Sequence, residues 1–303
     1  MRAWLAHDEG LRLVGDTPTN IELRVWDGRG DPPKERDEVV LFVPPTWNKP
    51  DSLQVLPTLD GLRVVQLLTA GADWIIPHVP GGVALCDARG AHDPAVAEWA
   101  MTAILSMVRG FPAFVRSQAH RSWRPANSGT LHGKRVLIVG YGSIGKALEE
   151  RLRPFGVRVE RVARTARAGV NDRTALPRLL PDADIVVLLL PLTTETRHLV
   201  DAAFLSALPE GALLVNASRG AVVDASALTA ELSAGRISAA LDVTDPEPLP
   251  ASDPLWSLPN VLITPHVASY TPTWLPLVYT LVGEQLRRIA RGEPPLNRVV
   301  DGY

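Results

Sequence analysis

Three closely spaced glycines, Gly140, Gly142 and Gly145, are the residues whose spacing points most directly to chemistry. They follow a short apolar run, Val136–Val139, and precede a segment with helical apolar spacing. The first glycine suits a tight turn, the second lets a pyrophosphate approach the backbone, and the third allows helix and strand to pack closely. A helix N-terminus there would attract phosphate. The pattern predicts dinucleotide binding; the alternative is a glycine-rich turn in an ordinary α/β protein.

The residue at the end of the next expected strand, Val157–Val162, normally selects the cofactor. An acid there hydrogen-bonds the ribose hydroxyls of NAD and repels the 2′-phosphate of NADP. This sequence has Ala163 at that position, followed by Arg164, Thr165 and Arg167. Guanidinium groups bind phosphate strongly, because each charge-assisted hydrogen bond contributes roughly 1.5–3 kcal/mol. We therefore predict NADP as the preferred cofactor and NAD as the second choice; the alternative is a solvated cluster of arginines.

Three charged residues each stand just after an expected strand. Arg219 lies in VNASRGAVVD, Glu247 in LDVTDPEPLP and His266 in LITPHVASYT. Taken singly, each has an ordinary interpretation, because an arginine or glutamate in a loop is usually a surface charge. A histidine in a turn is also more often structural than catalytic. Their occurrence together, in this order, changes that interpretation.

The chain resembles the D-isomer-specific 2-hydroxyacid dehydrogenase family from about Leu59 to Thr271. The similarity is strongest in four segments: Gly133–Gly145, Leu190–Thr196, Leu214–Asp224 and Leu241–His266. It is looser in LLTAGAD and PAVAEWAM, which lie earlier in the chain. Glyoxylate and hydroxypyruvate reductases are the subgroup that the chain resembles most. The resemblance implies reduction of a small 2-keto acid to the D-2-hydroxy acid by hydride transfer from NAD(P)H.

The resemblance also implies roles for the three charged residues. Arg219 would bind the substrate carboxylate and polarise its carbonyl, and His266 would protonate the carbonyl oxygen. Glu247 would hydrogen-bond His266 and hold its tautomer, since a neighbouring carboxylate favours an imidazolium that donates a proton near neutral pH. The backbone N–H groups of Ala70 and Gly71 would also hold the substrate carboxylate.

Further cofactor contacts follow from the same resemblance. The backbone N–H groups of Ser143 and Ile144 would bind the pyrophosphate. Three residues would line the nucleoside and nicotinamide end of the cofactor: Pro191, Thr196 and Asp242. Family members commonly have an aromatic residue and an acid where this chain has Thr244 and Asp245, which are therefore a departure close to Glu247.

The elements that must position these residues alternate between strands and helices. Apolar strand runs are expected at Val39–Val43, Leu62–Leu68, Val83–Cys86, Val136–Val139, Val157–Val162, Ile185–Leu190, Ala212–Asn216, Ala239–Val243 and Val261–Thr264. Helices are expected at Leu53–Leu59, Asp93–Arg109, Asp201–Leu208, Asp224–Ala234 and Thr273–Arg291. An irregular linker is expected over Phe111–His132. Such alternation predicts parallel sheets covered by helices on both faces.

The sequence therefore predicts an α/β protein with two doubly wound domains. A Rossmann dinucleotide-binding domain would occupy residues 95–272. Residues 1–94 and 273–303 would form a smaller, flavodoxin-like substrate domain that completes the catalytic site. The active site is expected in the cleft between the two domains, beyond the carboxyl ends of their strands.

Composition argues against several other classes of protein. The formal net charge is -2, and the sequence is 46% hydrophobic and 21% charged, so neither nucleic acid nor a membrane is an expected partner. The single Cys86 cannot form an internal disulfide, and no metal is expected. The start MRAWLAHDEG has no apolar signal region, which favours a cytoplasmic protein. The resemblance implies a homodimer, formed through Asp93–Arg109 and the arm carrying Trp123.

Two other functions stay open at this point. The family includes transcriptional co-repressors that keep the dehydrogenase fold, so a dinucleotide-sensing protein that barely oxidises its cofactor is one alternative. The other is an NAD-dependent dehydrogenase of a different 2-hydroxy acid, such as a phosphoglycerate-type acid. The long, serine-inhibited type is not expected, since the sequence shows no appended regulatory domain.

Overall fold

The computed structural model describes residues 1–46 and 49–300. The chain divides into two compact units. Met1–His92 and Thr271–Tyr303 form the first unit, and Asp93–Tyr270 form the second. Each unit is built around its own parallel sheet, as the apolar strand runs predict.

The first unit has a five-stranded sheet in the order β2-β1-β3-β4-β5. Its strands are β1 (Arg2–Leu5), β2 (Glu22–Val25), β3 (Val39–Phe42), β4 (Val64–Gln66) and β5 (Ala84–Cys86). Its helices are α1 (Gly10–Leu13), α2 (Lys49–Val55) and the long C-terminal helix α9 (Trp274–Arg291). This strand order is the flavodoxin-like one, in which the direction of winding reverses between β1 and β3.

Both faces of this sheet are buried. On one face, Leu5 and Leu41 pack against the apolar side of α9, which includes Tyr279. On the other face, Trp4 and Phe42 are fully buried in a separate cluster. Burial on two faces explains why these strands read as continuous apolar runs rather than as an alternation of apolar and polar residues.

The second unit has a six-stranded parallel sheet in the order β11-β10-β9-β8-β6-β7. Its strands are β6 (Arg135–Val139), β7 (Arg158–Val162), β8 (Ile185–Leu188), β9 (Leu213–Asn216), β10 (Ser238–Leu241) and β11 (Val261–Ile263). Its helices are α3 (Asp93–Val108), α4 (Phe111–Ala119), α5 (Ser143–Leu152), α6 (Leu176–Leu179), α7 (Ala202–Ser206) and α8 (Ala225–Ser233). The order reverses between β6 and β8, so their carboxyl ends mark the place where such sheets bind ligands.

Helix α3 is held in the second unit by small and branched apolar side chains. Ala97, Ala100 and Ile104 are buried and pack in one cluster with Leu148 and Leu152 of α5. This packing fixes the helix that follows the glycine turn against the sheet. It also places the side of α3 that carries Trp99 next to the carboxyl end of β11, where Trp99 contacts Thr264.

Most expected elements are present with ends shifted by a few residues, but three differences matter. Strands β1 and β2 were not among the expected strands, although β1 pairs with both β2 and β3. The helix expected at Leu53–Leu59 begins earlier, at Lys49, and ends at Val55. The expectation of an irregular linker over Phe111–His132 is wrong for its first part, because α4 occupies Phe111–Ala119. That helix buries none of its residues, although Phe111, Phe114 and Val115 have the i, i+3, i+4 spacing of a helix.

Candidate active site

The glycine turn joins β6 to α5 with a distinct environment at each glycine. Gly140 has a φ of +102°, and a Cβ there would collide with the backbone carbonyl of Leu189. A Cβ on Gly142 would meet nothing within 4 Å, so the backbone faces open space at this point. At Gly145 a Cβ would lie 3.2 Å from the carbonyl oxygen of Gly140. This is a turn with a bare backbone in front of a helix N-terminus, and it fits a pyrophosphate.

Ser143 and Ile144 are the first residues of α5. Backbone N–H groups in the first turn of a helix have no acceptor within the helix, so they are suited to bind an anion. The Ser143 hydroxyl donates to Asp93 Oδ1 at 3.0 Å, which ties the glycine turn to the start of α3.

The predicted 2′-phosphate site lies at the turn that follows β7. Arg164 and Thr165 are both exposed there. Arg167 is fixed to the glycine turn, because its Nη2 donates to the carbonyl oxygen of Tyr141 at 2.7 Å and its guanidinium lies 5.9 Å from the centre of the Tyr141 ring. The turn therefore presents guanidinium groups and has Ala163 where an acid would select NAD.

An ion pair with a buried carboxylate lies beside the glycine turn and fixes its Tyr141 side chain. Arg161 Nε donates to Glu149 Oε2 at 2.6 Å, and the Tyr141 hydroxyl donates to the same carboxylate. Glu149 is only 4% exposed. Its hydrogen bonds from Arg161 lower the pKa of this carboxyl to about 2, with a further contribution from Tyr141. Glu149 therefore stays charged over the physiological pH range and holds the tyrosine of the glycine turn.

Pro191 and Thr196 come together in one turn beyond the carboxyl end of β8. The Thr196 hydroxyl donates to the Pro191 carbonyl oxygen at 2.7 Å. The same hydroxyl accepts from the backbone N–H of Thr193 at 2.8 Å. These bonds give the segment a fixed shape at the strand end where the sheet order reverses.

Arg219 stands three residues beyond the end of β9, in a turn that Asn216 organises. The Asn216 side chain is buried; its Oδ1 accepts from the Ser218 N–H and hydroxyl at 3.0 and 2.6 Å. Its Nδ2 donates to the Arg219 carbonyl oxygen at 3.2 Å. Arg219 Nη1 donates to the Ser218 carbonyl oxygen at 2.7 Å, so the guanidinium is held close to its own turn.

Glu247 and His266 form a hydrogen-bonded pair. His266 Nδ1 lies 2.6 Å from Glu247 Oε1, and the two side chains are 44% and 39% exposed. A carboxylate only accepts hydrogen bonds, so Nδ1 carries the proton and Nε2 is the nitrogen left for a ligand. When the ring is also protonated at Nε2, the imidazolium can deliver that proton and return to the neutral tautomer with its proton on Nδ1.

The turn that carries His266 is folded around Asp242, the residue after β10. The backbone N–H of His266 donates to the Asp242 carbonyl oxygen at 2.7 Å. The N–H groups of Val267 and Ala268 donate to the two carboxylate oxygens, each at 2.9 Å. Asp242 is 2% exposed, and its predicted place at the nicotinamide end of the cofactor stays a prediction.

The loops that carry Arg219 and Glu247 meet backbone to backbone. A Cβ on Gly220 would collide with the carbonyl group of Thr244, so only glycine fits directly after Arg219. The Thr244 hydroxyl donates to the Pro246 carbonyl oxygen at 2.8 Å and shapes the approach to Glu247. Thr244, which departs from the family pattern, therefore makes its contacts with Pro246 of its own loop and with the backbone at Gly220.

Ala70 and Gly71 belong to the first unit, in the loop that follows β4. The Thr69 hydroxyl donates to the Gly71 carbonyl oxygen at 2.8 Å and gives that loop a defined shape. Their role in binding the substrate carboxylate stays a prediction.

No set of three or more metal-binding side chains occurs among residues 1–46 and 49–300. None of the helices in those ranges is both long and apolar enough to cross a membrane. Cys86 is fully buried, and burial raises the pKa of its thiol to about 12, which makes it an unreactive core residue.

Sequence reasoning did not single out Asn216, Gly220 or the pair Glu149 and Arg161. None of them carried a usable signal in the sequence, because their contact partners are brought close only by the folded chain.

Comparison with known proteins agrees with this architecture. The family model described as the NAD-binding domain of the D-isomer specific 2-hydroxyacid dehydrogenases matches residues 101–268. A glyoxylate reductase from Thermococcus litoralis is 31% identical over 317 aligned positions, covering 96% of this chain and 93% of that protein. A D-3-phosphoglycerate dehydrogenase from Methanocaldococcus jannaschii is 33% identical over 252 positions, which cover 79% of this chain but 48% of that protein.

Among solved structures, a D-isomer specific 2-hydroxyacid dehydrogenase from Xanthobacter autotrophicus Py2, crystallised with NADPH and MES, superposes with a TM-score of 0.85. It is 32% identical, and the match covers 100% of this chain and 99% of that one. The chain has a parallel sheet in each of its two α/β units, and it has the glycine turn and the relatives described above. It therefore belongs to the D-isomer-specific 2-hydroxyacid dehydrogenase family, whose members are NAD(P)-dependent oxidoreductases acting on the CH–OH group of their donors.

Proposed function

We propose that this enzyme reduces a small 2-keto acid, glyoxylate or hydroxypyruvate, to the D-2-hydroxy acid, with NADPH as the preferred cofactor. The observation that carries the proposal is the 2.6 Å hydrogen bond between His266 Nδ1 and Glu247 Oε1, which leaves Nε2 as the proton donor. The similarity to a glyoxylate reductase along 96% of the chain supports the choice of a small substrate.

In this proposal NADPH supplies the hydride, and the residues of the chain position the keto acid and its proton. Arg219 binds the carboxylate through its guanidinium, which suits the planar anion and draws electron density from the adjacent carbonyl. His266 donates its Nε2 proton to the carbonyl oxygen as the alcohol forms. Glu247 stabilises the charged imidazolium before transfer and keeps Nδ1 protonated afterwards. In the oxidative direction His266 accepts the proton.

The residues present fit the cofactor. The bare backbone at Gly142, between Gly140 and Gly145, and the first N–H groups of α5, at Ser143 and Ile144, would hold the pyrophosphate. Thr196 and Pro191 would line the nucleoside and nicotinamide end, with Asp242 near the nicotinamide. Arg164 and Thr165 would bind the 2′-phosphate, and the absence of an acid at Ala163 removes the repulsion that NADP meets in NAD-selective enzymes.

We propose that the backbone N–H groups of Ala70 and Gly71 also hold the substrate carboxylate. We also propose a cytoplasmic homodimer with no nucleic-acid or membrane partner. Exposed apolar side chains support association: Trp123 is 95% exposed, and Phe111 and Val115 of α4 are also exposed.

Steady-state oxidation of NADPH and of NADH, measured in parallel, tests the proposal. The acceptors are glyoxylate, hydroxypyruvate, pyruvate and a branched 2-keto acid. We expect the highest kcat/KM with NADPH and either glyoxylate or hydroxypyruvate. Activity with NADH alone would contradict the cofactor assignment. Tight cofactor binding without turnover of any acceptor would favour the dinucleotide-sensing alternative instead.

The double variant Ala163→Asp with Arg164→Ser is expected to shift the ratio of kcat/KM for NADPH over NADH toward NADH by about tenfold to several hundredfold. The change removes one or two charge-assisted bonds to the 2′-phosphate and adds a carboxylate that repels it. Arg158→Ser is the matched control, because Arg158 is an exposed arginine at the opposite end of β7. An unchanged ratio in the double variant would show that the arginines are a solvated cluster.

A further inference from the structure

A chain of hydrogen bonds links helix α3 to the turn that carries His266. The indole Nε1–H of Trp99 donates to the Thr264 hydroxyl oxygen at 3.0 Å. The Thr264 hydroxyl in turn donates to Asp242 Oδ1 at 2.6 Å. The direction of both bonds is fixed, because an indole N–H only donates and a carboxylate only accepts. Trp99 therefore sets the rotation of the threonine hydroxyl so that its proton points at Asp242.

The same carboxylate binds the residues on the other side of His266. Asp242 Oδ1 also accepts from the Val267 N–H at 2.9 Å, and Oδ2 accepts from the Ala268 N–H at 2.9 Å. The Asp242 carbonyl oxygen accepts from the His266 N–H. A single buried residue thus binds the Thr264 side chain and the backbone N–H groups of His266, Val267 and Ala268.

The backbone of His266 needs such support. Its φ is +54°, in the left-handed region, which is unfavourable for a residue with a Cβ. If the bonds to Asp242 weakened, the turn would relax toward an ordinary conformation. The imidazole would then rotate relative to Glu247, whose carboxylate must stay 2.6 Å from Nδ1. Proton transfer is sensitive to such movement, because a displacement of about 1 Å costs on the order of a hundredfold in rate.

We propose that Trp99 and Thr264 are positioning residues for His266, acting through Asp242. The inference rests on the proposed role of His266 as the proton donor. Neither Trp99 nor Thr264 needs to touch the substrate in this account, since their effect reaches the reaction through the shape of the turn. In this account helix α3 affects the rate of proton transfer through Trp99, which it carries.

Four variants and one control test this inference in the full-length enzyme with NADPH and the best acceptor. Thr264→Val keeps the shape of the side chain and removes the hydroxyl; we expect kcat to fall about tenfold to a hundredfold. KM for NADPH and for the keto acid should change by less than about threefold. The solvent deuterium isotope effect on kcat should rise, because proton transfer becomes slower relative to the other steps. Thr264→Ser should restore most of the activity.

Trp99→Phe should lower kcat in the same direction but less, and adding it to Thr264→Val should cause no further loss. The effects of substitutions are not additive when the residues act through one chain of contacts. Trp256→Phe is the matched control, because the Trp256 Nε1–H donates to the Pro250 carbonyl oxygen at 2.9 Å on an exposed loop. It removes the same type of bond and should leave kcat and the isotope effect unchanged.

Two results would overturn the inference: a lower melting temperature with unchanged kcat and isotope effect, or additive losses in the double variant. If Thr264→Val does not fold, Trp99→Phe decides the question by the same readouts. Failure of the proposed function is seen separately, because it would show as retained turnover when His266 itself is replaced.

Discussion

Replacing His266 with asparagine is expected to lower kcat for 2-keto acid reduction by about a thousandfold while NADPH binding stays close to that of the unchanged enzyme. A positioned general acid contributes roughly 10²–10⁴-fold to a rate, and an amide cannot take that role. Asparagine is the informative replacement because it tolerates the left-handed backbone that His266 adopts, so the turn should persist. Steady-state kinetics and fluorescence titration with NADPH measure the two quantities.

His198→Asn supplies the matched control. His198 also has a left-handed backbone, with a φ of +53°, and it lies exposed on the same unit. The same substitution in the same conformation should leave kcat unchanged. If His266→Asn kept its kcat, His266 would not be the proton donor. If it lost NADPH binding together with activity, the histidine would be a structural residue of the turn.

The parts of the fold that sequence could predict are those whose causes are local. Val136–Val139 and Ile185–Leu188 are apolar throughout because they are buried on both faces, so the apolar run by itself predicts a buried strand. Helix α4 is the opposite case. Its apolar residues Phe111, Phe114 and Val115 have helical spacing but are exposed, and a segment of nine residues is too short for that spacing to establish a helix without burial against a core.

The site divides in the same way. Gly140 could be assigned to a tight turn from sequence because the cause is its own backbone conformation, φ +102°. Gly220 could not, because its partner is the carbonyl of Thr244 in another loop. Asp242 is an intermediate case: its strand-end position was evident, but the bonds from its carboxylate to Val267 and Ala268 depend on how two strands align.

Glu149 shows why charge patterns alone mislead. In the sequence it sits in the pair Glu149–Glu150 on a helix, where an exposed face is the ordinary expectation. In the structure it is buried against Arg161 and the hydroxyl of Tyr141. Burial of a carboxylate is tolerable only with such pairing, and the pairing is a property of the tertiary fold.

The substitution Arg219→Gln is expected to lower kcat/KM for the preferred 2-keto acid by about a hundredfold to a thousandfold, with the KM for NADPH unchanged. A guanidinium pairs with a carboxylate through two charge-assisted hydrogen bonds, each contributing roughly 1.5–3 kcal/mol. Glutamine keeps part of the length of the side chain, but it has neither the positive charge nor the paired N–H donors of the guanidinium. Arg219→Lys should recover only a fraction of the activity, because an ammonium keeps the charge without the bidentate geometry.

The control for the Arg219→Gln variant is a change of substrate, not a second protein variant. A 2-keto amide of the same size lacks the carboxylate, so the original enzyme and Arg219→Gln should reduce it at similarly low rates. The loss caused by the substitution should therefore appear only with the acid, which isolates the pairing of guanidinium and carboxylate from any change in the turn held by Asn216. Equal losses with the acid and the amide would assign Arg219 to the structure of its loop instead of to substrate binding. Unchanged kinetics with every keto acid would remove it from the site.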